Sequence, residues 1–383
     1  MILYLACLNP KRFGRHSKRF CCLPLDNKNG QMSLTRISQA LGLSVTTVSR
    51  ALGGYSDVST ATRSRVEAEA ARIGYRPHAG ARKLRLGRAD AVGLILPTGA
   101  GRFDDPFFLR LISGVGPALA EAGLDLLVSA APPGDSEMRA YRHMVEGRRV
   151  DGFLLARMRE RDRRLAFLQA MDVPFVAHGR SDASRPYAFV DTDGTKAVAA
   201  ATRRLISFGH REIAFIGAAG GLNFSTTREA GWRLALSEAG LAASLVRHQN
   251  ATENGGFIAT HDLLQSAAAV TAIVCATDRI AVGVLHALTE TALRAGRDIA
   301  VIGFDDHAFS AHTDPPLTTI AQPVEEAGRR MVGMLVALFG GADPEGLSEI
   351  MPTTLIPRGS DARPDSLNAA EHSRNAITWG NQG

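Results

Sequence analysis

Hydrophobic positions along the chain change their period near residue 90. Before that point apolar residues recur every three or four positions in short stretches: Ile37, Ala40 and Leu41, then Val48, Ala51 and Leu52, then Val66, Ala70 and Ile73. Such spacing places each set on one face of a helix, and Ser33, Ser44 and Ser59 stand where N-caps belong. Gly42 supplies a residue tolerant of positive φ for a tight turn between the first two stretches. The prediction is three short helices sharing one small core. From Ala91 onward the apolar runs AVGLIL, LDLLVSA, DGFLLA and VPFVAH alternate with amphipathic stretches through Leu109 to Ala122, near Met138 to Val145, and up to Met171. The alternation restarts with EIAFIG, helices at Arg228 to Ala239 and Gly256 to Gln265, AAVTAIVC, a helix from Arg279 to Ala295, and DIAVIGF. This order predicts parallel βαβ units in two tandem sheets, hence two lobes with a cleft between them.

On the second helix the face opposite the apolar stripe carries Val45, Thr46, Ser49 and Arg50, with Ser44 and Thr47 beside it. These side chains suit a major groove: Arg50 matches a guanine edge with two donors, Thr46 a base or phosphate, and the Val45 methyls a thymine methyl. Charge points the same way. Ten basic residues against three acidic ones between Ser33 and Arg88 leave a net of +7, the footprint of a phosphate-binding element. The whole chain, 383 residues and 45% hydrophobic, carries +6. Residues 1 to 32 contribute +5, so the remaining 295 residues are net acidic at −6 and the basic balance belongs to the N-terminal quarter.

The segments SVTTVSRAL, DVSTATRSRV and GYRPHAGARKL, in that order and spacing, resemble the LacI/GalR family of bacterial repressors. The resemblance continues through FGHREIAFIG, REAGW, VIGFDD and PPLTTIAQP, over roughly residues 91 to 360. It implies an N-terminal all-α helix-turn-helix domain at 32–77 and a hinge helix with linker at 78–88. An α/β two-lobed effector domain like the periplasmic sugar-binding proteins follows at 89–360. Lobe 1 is expected at about 91–190 with 323–350, and lobe 2 at about 191–322 with 351–360. The family's hinge folds on DNA and wedges a leucine into the minor groove; here that residue is Leu84, flanked by Arg82 and Lys83. Gly80 stands where the family usually has a larger aliphatic residue, which weakens the hinge helix.

By the same resemblance Arg228 and Asp305 grip polar groups of an effector, and Phe107 and Phe108, in DDPFF, stack on its apolar face. Asp105, Arg180, Asp193, Thr277, Asp278 and Gln322 match further family positions. Plainer roles stay open: helix caps for Asp193 and Asp278, core packing for the two phenylalanines, and a structural ion pair for Arg228 with Asp305. The segment VPFVAHGR departs from the family, which has an aspartate at Gly179.

The implied function is a sequence-specific repressor that binds a pseudo-palindromic operator as a homodimer under control of a sugar or sugar derivative. The alternative is a solute-binding protein without regulatory DNA binding. No enzyme, cofactor or metal site is expected. The turn IGAAGGLNF misses the dinucleotide spacing, the histidines lack metal-ligand spacing, and no GxSxG elbow occurs. Three of four cysteines lie in the first 31 residues and only Cys275 in the body, a reduced, cytoplasmic pattern without a signal peptide or membrane span. Residues 1–31 are expected to be a non-native extension or a disordered basic arm. A frayed tail is expected over 361–383, with no leucine heptads to build a tetramer.

Overall fold

The computed structural model describes residues 28–75, 88–99, 105–266 and 270–361, with side chains from Leu34 onward. The arm before residue 28, the hinge with Gly80, Arg82, Lys83 and Leu84, and the tail beyond 361 lie outside the described residues. Two compact units divide at Gly87 and Arg88.

The first unit holds α1 (Lys28–Leu41), α2 (Val45–Leu52) and α3 (Thr60–Arg72). Ile37, Val48, Ala51, Val58, Val66 and Ala70 are buried together, with Leu41, Leu52, Tyr55 and Ile73 packed around them. Ser44 accepts from the Thr47 amide at 3.0 Å and Ser59 from Thr62 at 3.3 Å, so both cap as the pattern requires. Gly42 turns the chain at φ 66°. Two expectations change. Helix α1 starts at Lys28, which puts Ser33 inside it; Ala40 is exposed rather than in the stripe.

The second unit contains two six-stranded sheets. The first combines β1 (Ala91–Pro97), β2 (Asp125–Ala131), β3 (Gly152–Leu155), β4 (Phe175–His178), β5 (Ala188–Thr192) and β11 (Ser348–Met351), in the order β11-β5-β4-β3-β1-β2 and parallel throughout. The second combines β6 (Ile213–Ala218), β7 (Val246–Gln249), β8 (Ala272–Cys275), β9 (Ala300–Asp305), β10 (Thr318–Ala321) and β12 (Thr354–Ile356), in the order β12-β10-β9-β8-β6-β7, with β12 antiparallel. Strands β3, β6, β8 and β9 are buried along their whole length because helices cover both faces, which is why they read as unbroken apolar runs.

Helices α4 (Pro106–Glu121), α5 (Asp135–Glu146), α6 (Arg163–Ala170) and α11 (Val324–Phe339) pack on the first sheet; α7 (Gly194–Ser207), α8 (Asn223–Glu238), α9 (Glu253–Gln265) and α10 (Asp278–Glu290) pack on the second. The chain changes lobe three times, after β5, after β10 and between β11 and β12. The structure adds β5, α7, β7, β10, α11 and β11 to the predicted elements; β7, an edge strand reading VRHQ, has one apolar residue and no pattern to betray it. Helix α10 ends at Glu290, short of the predicted Ala295, where Ala292 turns left-handed at φ 58°. Among the described residues no helix is long and apolar enough to cross a membrane, and no three metal-ligating side chains cluster.

Candidate functional site

Two surfaces carry candidate chemistry. On the helical unit, Ser44, Val45, Thr46 and Arg50 are exposed along α2, while Thr47 and Ser49 are half-buried. The Thr47 hydroxyl shares a 2.8 Å hydrogen bond with Ser44 and so belongs to the cap. Arg50 is ion-paired with Asp57, and its guanidinium lies 5.2 Å from the centre of the Tyr55 ring. Asp57 is a partner the sequence pattern did not single out.

In the two-lobed unit the carboxyl ends of both sheets face one cleft, as open α/β sheets require. Its inner part is lined by Phe107, His178, Asp191, Asn223, Phe224 and Arg228, with Met158, Thr227 and Gln322 beside them. Backbone pairing at its mouth joins the lobes: Glu160 donates its amide to Gly221 at 3.1 Å, and Asn223 donates to Met158 at 2.9 Å.

Arg228 sits in the second turn of α8 and is buried. Its guanidinium stacks 3.4 Å from the Phe304 ring centre, donates to the Ala276 carbonyl, and stands 3.8 Å from Asp305. Burial pulls its pKa down to about 10, against the pull of Asp305. The expected bidentate clamp is therefore not closed: 3.8 Å is beyond a hydrogen bond, and Asp305 instead accepts from the Gln322 amide at 2.6 Å. The second Asp305 carboxylate oxygen is buried with no hydrogen bond, and His307 Nε2 lies 3.6 Å from it. Asp305 also adopts φ 124°, a conformation strained for a residue with a Cβ, and the neighbouring Asp306 lies at φ 50°. A strained strand end with an unsatisfied carboxylate oxygen marks a place built for something other than stability.

The remaining predicted residues divide. Asp105 caps α4, accepting from Phe107 at 3.1 Å, and pairs with Arg157. Burial alone would raise its pKa, but Arg157 and the Phe107 amide outweigh burial and hold it below the usual carboxylate range. Phe107 and Phe108 are both buried in the lobe 1 core, but only Phe107, which meets His178 edge-on at 5.0 Å, also lines the cleft. Arg180, partly exposed, binds Asp191 at 2.7 Å and so holds one wall residue. Asp193 caps α7 through Lys196 at 2.9 Å, and Thr277 caps α10 through Ile280 at 3.3 Å.

Asp278 is neither a cap nor a cleft residue. It is fully buried and accepts from Ser310, from Thr319 and from the His307 amide at 2.9 Å, tying the β9 turn to the sheet. Burial and the nearby Asp305 raise its pKa. Residues missed by sequence reasoning are Arg157, His178, Asp191, Asn223, Phe224 and Thr227. Arg157, His178 and Asp191 lie at or just after strand ends, the one signal that would have found them, whereas Asn223, Phe224 and Thr227 open α8.

A helical unit with an outward arginine on its second helix, followed by a two-lobed α/β unit with polar groups converging on the interlobe cleft, defines a ligand-responsive DNA-binding regulator. Residues 34–78 match the model for bacterial regulatory proteins of the lacI family, and residues 202–360 a periplasmic binding protein-like domain. The chain is 34% identical over 338 residues to the HTH-type transcriptional regulator RafR of Escherichia coli, covering 88% of this chain and all of RafR. It is 36% identical to AglR of Rhizobium meliloti (strain 1021), covering 86% and 94% of the two chains. The chain belongs to the lacI family of bacterial transcriptional regulators. Among solved structures, the CelR–cellobiose complex matches with a TM-score of 0.67 and 31% identity, covering 85% of this chain and 99% of CelR. The lac repressor dimer bound to operator and an anti-inducer matches with a TM-score of 0.74 and 25% identity, covering 86% and 98%.

Proposed function

We propose that this regulator is a cytoplasmic repressor that binds a pseudo-palindromic operator as a homodimer and is released by a sugar or sugar derivative held between the lobes. In this reading residues 32–77 read the operator through Val45, Thr46 and Arg50, residues 78–88 form the hinge, and residues 89–360 sense the effector. The observation that carries it is one chain bearing both an exposed reader face on α2 and a cleft where Arg228, Asp191, Asn223 and Gln322 converge beside Phe107 and Phe224. Mixed donors and acceptors flanking aromatic faces match a pyranose, which presents hydroxyls at its edge and C–H groups on its face. The CelR relative bound to cellobiose and the lac repressor bound to operator support the same assignment.

Effector closing the lobes on one another would change how paired hinges meet DNA, a coupling of about 1–3 kcal/mol in typical systems. The test is to select operator sequences from random DNA, then follow the complex by mobility shift as sugars are added. Release by a sugar supports the proposal; tightening makes the sugar a corepressor, and selection of no common sequence removes the repressor reading.

A further inference from the structure

Arg50 is held by two different groups, a carboxylate and a ring. Asp57 takes N–H donors of its guanidinium, and the guanidinium carbon lies over the Tyr55 ring, 5.2 Å from its centre. The two contacts differ in what they leave free. A carboxylate accepts from the same N–H groups that a guanine edge needs, so Asp57 and a base exclude each other. An aromatic face attracts the cation through its quadrupole without consuming those donors, so Tyr55 stays in contact while a base is read.

Tyr55 is fixed in this place from both neighbouring helices. Gly54, at φ 73°, turns the chain back after α2, a conformation that glycine adopts at no steric cost, and brings residue 55 alongside residue 50. The Tyr55 amide donates to the Arg50 carbonyl at 3.2 Å, and the Tyr55 carbonyl accepts from the Val58 amide at 3.2 Å and from Arg63 of α3 at 2.8 Å. The half-buried ring packs against the core of the three helices. Arg50, by contrast, is a long side chain with 45% of its surface exposed, and such a chain without support samples many rotamers. A rigid platform therefore stands beneath a flexible arm.

We propose that Tyr55 is a positioning residue for sequence readout: its ring holds the Arg50 guanidinium in one orientation, so that Arg50 passes from Asp57 to a guanine edge already aligned. The proposal rests on Arg50 as the base-reading residue, as assigned above. Selectivity follows from geometry. A guanidinium held in one orientation donates two hydrogen bonds together to guanine O6 and N7, a pair of acceptors that no other base presents in the major groove. A mobile guanidinium also donates singly to adenine N7 or thymine O4, and it discriminates less. The Tyr55 hydroxyl has no part in this role, so a phenylalanine ring serves as well.

The test is selection of duplexes from a random-sequence pool by the full chain. Anisotropy titration follows with the selected duplex, with versions changed one base pair at a time, and with a scrambled duplex. Pairs whose preference is lost in Arg50→Ala are those that Arg50 reads. At these pairs Tyr55→Phe should keep the preference at the wild-type level. Tyr55→Leu, which is apolar but has no aromatic face, should lower it about two- to fivefold, the range of an exposed cation–π contact, and leave affinity for the scrambled duplex unchanged. Pentafluorophenylalanine placed at position 55 keeps the ring shape and reverses its quadrupole, and it should act like leucine if the leucine variant does not fold. Equal weakening on selected and scrambled duplexes would make Tyr55 a packing residue only, and an unchanged preference in the leucine and fluorinated variants would show that Arg50 aligns without it; either result overturns the proposal. If Arg50→Ala leaves every preference in place, the base-reading assignment itself fails and Tyr55 has nothing to position.

Discussion

Arg50 on the reader helix is ion-paired with Asp57, in the turn that leads to α3. Both side chains are about half exposed, at 45% and 50%, so the pair adds little stability and its main effect is on DNA. Asp57 occupies the guanidinium that a guanine edge would use, and it adds a negative charge where phosphates approach. Asp57→Asn should tighten operator binding about three- to tenfold at low salt, with the gain fading as salt rises. Fluorescence anisotropy across a salt series measures it, and weaker binding by the variant would show that Asp57 orients Arg50 instead of competing for it. Arg50→Ala should abolish the ranking among operator sequences while leaving effector binding unchanged.

Asp305 lies 3.8 Å from Arg228 and keeps one carboxylate oxygen without a hydrogen bond. Asp305→Asn preserves shape and a carbonyl acceptor for Gln322 but removes the charge and one acceptor site. The expected outcome is a protein that folds cooperatively, binds operator normally, and needs at least tenfold more effector for release, as a lost charge-assisted hydrogen bond of about 1.5–3 kcal/mol implies. A normal effector response in mobility shifts would assign the cleft chemistry to other groups.

His178 ends β4 against Phe107, and burial holds its pKa down to about 4 in the folded protein, below the ordinary 6.5. The unfolded chain therefore takes up the proton first as pH falls. The His178 contribution is complete above about pH 6.5 and is lost as pH drops toward 4, where stability rises with pH. The full shift corresponds to a ceiling of about 3 kcal/mol, which water reaching this half-buried ring trims to roughly 1–2. Denaturation by urea between pH 4 and 7 should show a steeper loss of stability in the wild type than in His178→Phe. Equal slopes would mean that the ring protonates freely in the folded state.

Gly256 on α9 touches α10 so closely that a Cβ there would lie 2.0 Å from the Ile280 carbonyl oxygen. Gly256→Ala must push the helices apart and should cost about 1–3 kcal/mol. Calorimetry should find the melting midpoint of the two-lobed unit lowered by several degrees. An unchanged midpoint would show that the helix pair separates at no cost.

The reader helix was legible because its logic is local. Caps at Ser44 and Ser59, the turn at Gly42 and the stripe of Val48 and Ala51 each depend on neighbours within four residues, and each stands where the pattern puts it. The helix starting at Pro106 was legible only in part: its interior is periodic, but its start rests on an Asp-Pro cap that the period does not show. In the cleft, Asp105, Phe107, Arg228 and Gln322 reach the lining, while Asp278, with equal claim from its position after a strand, spends both oxygens inside the lobe.

Sequence alone determined most of the elements, the division into a basic helical reader and an acidic α/β body, and the rule that ligand groups belong at strand ends, because periodicity and charge are properties of contiguous residues. Tertiary structure decided which strand ends meet across the lobes, since that depends on the order β11-β5-β4-β3-β1-β2 and on three crossovers that pairwise spacing does not encode. It placed Arg157 between Phe107 and Phe224, residues 50 positions before and 67 after it. Such contacts arise only when separate βαβ units close on a common cavity, where packing rather than local propensity fixes each side chain.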